Sequence, residues 1–354
     1  MLARITGESP MTLPPRIADA AQLEDLLSTP TPGLVDSVRR LEGDVVILGA
    51  GGKMGPTLAR MMRRAQEAAD VGGGVTAVSR FSQPDVATAL EDTGVNTVAC
   101  DLLDEDAWDQ LPDAPHVVFM TGMKFGATED PPLTWAMNAH LPGLVRRRYP
   151  HSRVMAFSTG NVYGLVPVTG GGSLETDPPR PDGEYAASCV GRERLFEYFS
   201  RKQNAPLALV RLNYACELRY GILVDLAQKV LHEAPIPLAT GCFNIIWQGD
   251  ANAMSLQALE CAAAPGEVIN VTGPETLSVR QVCEAFGERF NQAPRFEGAE
   301  GPDALLNNAG KAFNRFGYPT VDVTRLMDWI ADWLLRGGET LDKPTHFEVR
   351  DGKY

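Results

Sequence analysis

The sequence contains no C-x-x-C pair, no clustered histidines, no excess of basic residues and no long apolar run. Each absence removes a class of function. The six cysteines, Cys100, Cys189, Cys216, Cys242, Cys261 and Cys283, are scattered through 354 residues. In a chain of this size they read as reduced thiols packed as small hydrophobes. The five histidines show no ligand spacing, so no metal site is expected. Acidic residues outnumber basic ones by 45 to 32, a net charge of −13. Such a surface repels phosphate backbones and anionic lipid, which disfavours nucleic acid or a membrane surface as partner. No window approaches a transmembrane span. Residues 1–27 lack the apolar core of a signal peptide, so the expected location is the cytoplasm. Met11 is a candidate true start, because nothing before it reads as structural.

With 44% hydrophobic and 22% charged residues, the composition is that of an ordinary globular protein. Residues 1–42 read as an N-terminal helical extension. Leu23, Leu26 and Leu27, then Leu34, Val35, Val38 and Leu41, form two amphipathic stretches split by Thr29-Pro30-Thr31-Pro32. From Asp44 strands and helices alternate. The apolar run 45–48 predicts a strand buried on both faces. Further strands are expected at 75–79, 97–100, 117–120, 154–158 and 207–212, with helical patterns between most of them. Repeated βα units predict an α/β fold with a doubly wound parallel sheet. After Leu212 the pattern loosens into helices at 220–232, 278–290 and 323–336, a punctuated region at 235–247 and a strand at 267–271.

The turn Gly49-Ala50-Gly51-Gly52-Lys53-Met54-Gly55 directly follows the first strand and opens a helix with Pro56 just inside it. Glycines at 49, 52 and 55 give a tight turn, room for a pyrophosphate against backbone, and close helix–strand packing. The helix N-terminus offers free N–H groups to phosphates. This is a Rossmann-type dinucleotide site, with Gly49, Gly51, Gly52, Lys53, Met54 and Gly55 as cofactor-binding residues; a ligand-free glycine turn is the alternative. An NAD site ends its second strand in a carboxylate. Here the end reads Val78-Ser79-Arg80. Ser79 can donate to a 2′-phosphate and Arg80 can pair with it, with Lys53 as a further cation. The expected cofactor is NADP, with NAD as the alternative. Residues 43–212, rejoined by 241–272, are the expected NAD(P)-binding domain, and 213–240 with 273–354 a smaller C-terminal substrate-binding lobe.

Two further segments carry chemistry: Ser158-Thr159-Gly160-Asn161-Val162-Tyr163-Gly164, and Gly183-Glu184-Tyr185-Ala186-Ala187-Ser188-Cys189 with Glu193 beyond. With the glycine turn, they resemble the extended short-chain dehydrogenase/reductases, the NAD(P)-dependent epimerase/dehydratase family. The resemblance runs from about 44 to 271. It implies cofactor contacts at Asp101 and Leu102, and at Thr121 and Gly122 after the fourth strand, with Asn138 as the helix asparagine near the site. It implies that Thr159 orients a substrate oxygen while Tyr185 moves its proton and hydride passes at the nicotinamide. Tyr163 reads as a structural or cofactor-side residue, and Asp250 as a helix cap.

The family's lysine, four residues after the tyrosine, is here Cys189. Tyrosine titrates at about 10. A cation about 4 Å away, at an effective dielectric of about 20, is worth ~4 kcal/mol, or about three pKa units. A neutral thiol offers none of this. Lys124, in the loop after the fourth strand, is a candidate substitute; an exposed loop lysine is the alternative. The resemblance implies an enzyme acting on a hydroxyl or keto group of a small, sugar-like molecule, as oxidoreductase, epimerase or dehydratase, and allows a homodimer. The lost lysine keeps open a catalytically weakened NADP-binding sensor or scaffold.

Overall fold

The computed structural model describes residues 13–353; the candidate start at Met11 lies outside them. Seven strands form one sheet: β1 (Val45–Leu48), β2 (Val75–Ser79), β3 (Asn96–Ala99), β4 (His116–Phe119), β5 (Arg153–Thr159), β6 (Leu207–Leu212) and β7 (Glu267–Val271). Their spatial order is β3-β2-β1-β4-β5-β6-β7. All pairings are parallel, with Val45 opposite both Val75 and His116. This is a Rossmann-type, doubly wound α/β fold. Its strand order reverses between β1 and β4, which opens a crevice at the carboxyl ends of those strands.

Every residue of β1 is buried, as its unbroken apolar run requires. The helix Gly55–Ala69 follows with proline in its first turn. It stops at Asp70, which takes a left-handed φ of 52°. The chain therefore turns before the glycine triplet 72–74, because a short polar side chain tolerates that conformation. The helix Gly183–Gln203 carries Tyr185, Cys189, Arg192 and Glu193 across the sheet.

Beneath that helix lies a buried polar network. Arg211 donates from Nε and Nη2 to Glu193 at 2.9 and 2.7 Å, and from Nη1 to the Tyr163 hydroxyl at 2.7 Å. Glu193 also accepts from Ser158 Oγ at 2.6 Å, and Tyr163 donates to Asn270 Oδ1 at 2.8 Å. These bonds tie the helix to β5, β6 and β7. They give Tyr163 a structural role, one of the two expected of it.

The helices Ala20–Leu27 and Pro32–Arg40 form where expected, capped by Asp19 and Thr31. Leu34 and Val38 pack into the core under the sheet, whereas Leu23 and Leu27 pack into a second core. That second core gathers the helices Ile222–Leu231, Val279–Phe290 and Val323–Leu335, and Phe347 of the C-terminal tail. The tail is pinned where Thr345 donates from N and Oγ1 to Asp225 Oδ2 at 2.8 and 2.5 Å. Asp250 does not cap its helix, which begins at Gln248. Its carboxylate instead accepts from the Thr320 and Val321 amides at 2.9 and 3.2 Å, clamping a distant turn.

Candidate active site

Two adjoining cavities, of about 390 and 380 Å³, open at the carboxyl ends of the strands. Each falls in the small-molecule range. Gly49, Gly52, Met120 and Gly122 line both, so the two share a wall.

The glycine turn is shaped for a ligand. Gly49 has φ +91°, and a Cβ there would stand 2.7 Å from the Thr121 amide. A Cβ at Gly55 would collide with the Ala50 carbonyl, so glycine lets the helix close on the strand. A Cβ at Gly52 would meet only ordinary contact with the protein, at 3.7 Å. What glycine leaves open there is the cradle side, where a pyrophosphate approaches backbone. The donor set fits a dinucleotide.

The first cavity brings together Gly49, Gly51, Gly52, Ser79, Arg80, Asp101, Leu102, Thr121 and Gly122. No carboxylate stands at the end of β2. Four expected neighbours lie elsewhere, and one of them, Gly55, is buried against Ala50 and lines neither cavity. Lys53 and Met54 line the second cavity instead. Lys53 is directed onto the Tyr220 ring, 3.2 Å from its centroid, and so is not a partner of Ser79 and Arg80. Asn138 lines neither cavity, because its amide is spent inside the protein. It accepts from the Met123 amide and donates to Met123 O and Ser188 Oγ, all at 2.9 Å. Asn138 therefore shapes the loop before Lys124.

In the second cavity Thr159, the last residue of β5, lines the same wall as Tyr185, and its hydroxyl donates to Asn161 Oδ1 at 3.0 Å. Burial pushes the Tyr185 hydroxyl well above the usual tyrosine range, and the Cys189 thiol adds to this. The Thr159 hydroxyl and the Arg192 charge pull the other way. Cys189 is fully buried between Val162, Tyr163 and Tyr185, and burial raises its thiol too. It is a neutral packed thiol, without the thiolate character a nucleophile needs.

Lys124 also faces this cavity, with Nζ 3.4 Å from the Thr345 carbonyl. Its pKa is lowered to about 8, first by burial and then by the charge of Lys53. Among the described residues, no group of His, Cys, Asp and Glu could hold a metal ion, and no helix is long and apolar enough to cross a membrane.

Arg192 is not among the site residues expected from the sequence. The structure buries it beside Gly122, with a guanidinium whose charge reaches Tyr185. The signal was present, since residues 185, 189 and 192 follow an i, i+4, i+7 helical stripe. Lys343 in the first cavity and Thr345 in the second arrive from the tail, and no local pattern announces them.

Residues 45–216 match the model of the NAD dependent epimerase/dehydratase family. No curated protein matches the chain in sequence. Similar solved structures include the UDP-glucose 4-epimerase of Thermus thermophilus in complex with NAD, at 21% identity and a TM-score of 0.64, covering 82% of this chain and 98% of that one. The UDP-glucuronic acid 4-epimerase of Bacillus cereus, in complex with UDP-glucuronic acid and NAD, has 18% identity and a TM-score of 0.68, covering 83% and 99%. The UDP-glucose 4-epimerase of Thermotoga maritima with UDP-glucose has 15% identity and a TM-score of 0.67, again covering 83% and 99%. At these identities the likeness is one of fold.

Proposed function

We propose that this chain, whose residues 45–216 match the NAD dependent epimerase/dehydratase family, is an enzyme of that family, acting by hydride transfer on a hydroxyl or keto carbon of a sugar-like substrate, with NADP. The observation that carries this reading is that Thr159 and Tyr185 line one cavity, which adjoins the dinucleotide cradle. When bound, the nicotinamide cofactor supplies a hydride donor or acceptor.

The chain's own groups handle the oxygen and its proton. Thr159 orients the substrate oxygen by hydrogen bonding. Tyr185 exchanges the proton with it. Because burial keeps the Tyr185 hydroxyl protonated, it is set to donate to a keto oxygen. Taking a proton from a hydroxyl needs positive charge nearby. Lys124 supplies it from the loop after β4 in place of the missing lysine, and Arg192 adds to it from the helix.

Ser79 and Arg80 favour NADP, since both line the cavity where a carboxylate would favour NAD. NAD is the alternative, because the similar structures from Thermus and Bacillus hold NAD. UDP-sugars bound to similar proteins support a sugar-like substrate. The family resemblance also supports a cytoplasmic homodimer. The choice among net redox, epimerisation and dehydration follows from product analysis.

A second reading, a cofactor-binding sensor, is favoured by the neutral Cys189 thiol at the lysine position. The deciding experiment titrates NADPH and NADH, then follows nicotinamide absorbance over a panel of sugar acids, lactones and aldoses. Turnover that vanishes in Tyr185→Phe supports the enzyme. Cofactor binding with no turnover across the panel supports the sensor.

A further inference from the structure

The substrate cavity holds a cation that proton transfer does not use. Lys53 Nζ sits 3.2 Å from the Tyr220 ring centroid and 5.1 Å from that of Phe125. Lys124 Nζ stands 5.3 Å from the same Phe125 ring, so the two ammonium groups share one aromatic wall of the cavity. The acids whose charge reaches Lys53 are Glu217 and Asp225. Both are engaged elsewhere: Glu217 accepts from Arg219, and Asp225 from Thr345. Among the described residues no carboxylate pairs with Lys53, while the charge of Lys343 opposes it. In a chain of net charge −13, this is a local excess of positive charge.

Holding an ammonium in a pocket without a counter-ion is costly, and the ring faces offset only part of the cost. An anion arriving in the cavity removes the imbalance. We infer that Lys53, seated on Tyr220 with Lys124 across Phe125, receives an anionic group of the substrate, a carboxylate or a phosphate, which makes the substrate class an acidic sugar rather than a neutral one. This rests on reading the cavity as the substrate site of a hydride-transfer enzyme.

The test is equilibrium binding. Protein saturated with NADP⁺, or with NAD⁺ where NADP⁺ fails to bind, is titrated calorimetrically with glucuronate, glucose 6-phosphate and glucose. At least one anion is expected to bind, with glucose weaker by about tenfold or more. The two anionic arms identify carboxylate or phosphate. Lys53→Met, which keeps the apolar stem, is expected to lose that preference about tenfold while cofactor affinity moves by less than about twofold. Equal binding of all three, no binding of either anion, or a preference that survives Lys53→Met overturns the inference. So does a loss of cofactor affinity of about tenfold in Lys53→Met, which would make Lys53 a cofactor ligand. Turnover plays no part in this readout, so a failure of the Tyr185→Phe experiment is a separate result.

Discussion

Arg192 donates from Nη2 to Asn138 Oδ1 at 2.7 Å, and from Nε and Nη1 to the main-chain carbonyls of Asn138 and Phe157 at 3.2 and 2.8 Å. Asn138 in turn holds both main-chain polar groups of Met123. One buried pair thus joins the loop that carries Lys124 to the helix that carries Tyr185. Arg192→Met removes a charge felt by Tyr185 and loosens that loop. Its kcat is expected to fall by about 10²-fold, in the range of a lost electrostatic stabiliser. Arg192→Lys restores the charge but not the planar bridge, so it should recover only part of the loss. Steady-state kinetics with both variants checks this. Equal kcat in Arg192→Met and the parent protein would remove Arg192 from the mechanism.

Lys124 and Cys189 make a paired comparison. Lys124→Ala is expected to abolish turnover, whereas Cys189→Ala, which removes a neutral thiol, should leave it largely intact. Equal and mild effects of the two changes would rule out the substitution of one segment's lysine for another's.

The same lysine sets a pH limit. Lys124 is brought down to about 8 by burial and by Lys53, against the opposing charge of Glu348. Its charge is present below that value and lost above it, so activity in the oxidation direction should fall as pH rises through about 8. Lys53→Met removes a like charge, and the alkaline limb should then move to higher pH. A limb that stays in place would mean that Lys124 is not the group titrating.

Cofactor choice is testable at the end of β2. Arg80→Asp replaces a cation with the carboxylate typical of NAD sites. The NADPH-to-NADH affinity ratio is expected to fall by about tenfold or more, as for the loss of one charge-assisted hydrogen bond. Fluorescence titration with each dinucleotide reads it. An unchanged ratio would make Arg80 a solvated surface charge.

The legible parts of this molecule were those fixed by local pattern. The apolar run of β1 and the glycines at 49 and 55 are dictated by burial and steric contact within a short stretch, and short stretches are what a sequence displays. Thr159 and Tyr185 were named through family resemblance, and the fold brings them into one cavity from different elements. The side-chain direction of Lys53 was not legible, because Tyr220 and Phe125 draw it away from the adenine side and neither is its sequence neighbour. Nor was Asn138, whose bonding is decided by Arg192 and Ser188 some 50 residues on. Lys343 and Thr345 reach the cavities only because Phe347 is buried in the second core and Asp225 holds Thr345.

The ion pair beneath the active site yields a prediction about stability. Glu193 and Arg211 are 0% and 4% exposed, so their charges are desolvated and depend on each other. Glu193→Met leaves Arg211 buried with only the Tyr163 hydroxyl as partner, and also strips Ser158 Oγ of its acceptor. The expected cost is about 3–5 kcal/mol. Arg211→Met should cost a similar amount by stranding the carboxylate. The double variant Glu193→Met/Arg211→Met removes both charges and fills the space with apolar side chains. It should therefore be less destabilised than either single variant, because most of each single cost is the penalty of an unpaired buried charge. Urea denaturation of the four proteins gives the coupling directly. Additive losses in the double variant would mean that the pair stabilises the fold by its own attraction, and that the carboxylate under β5 is more than a neutralising partner for Arg211.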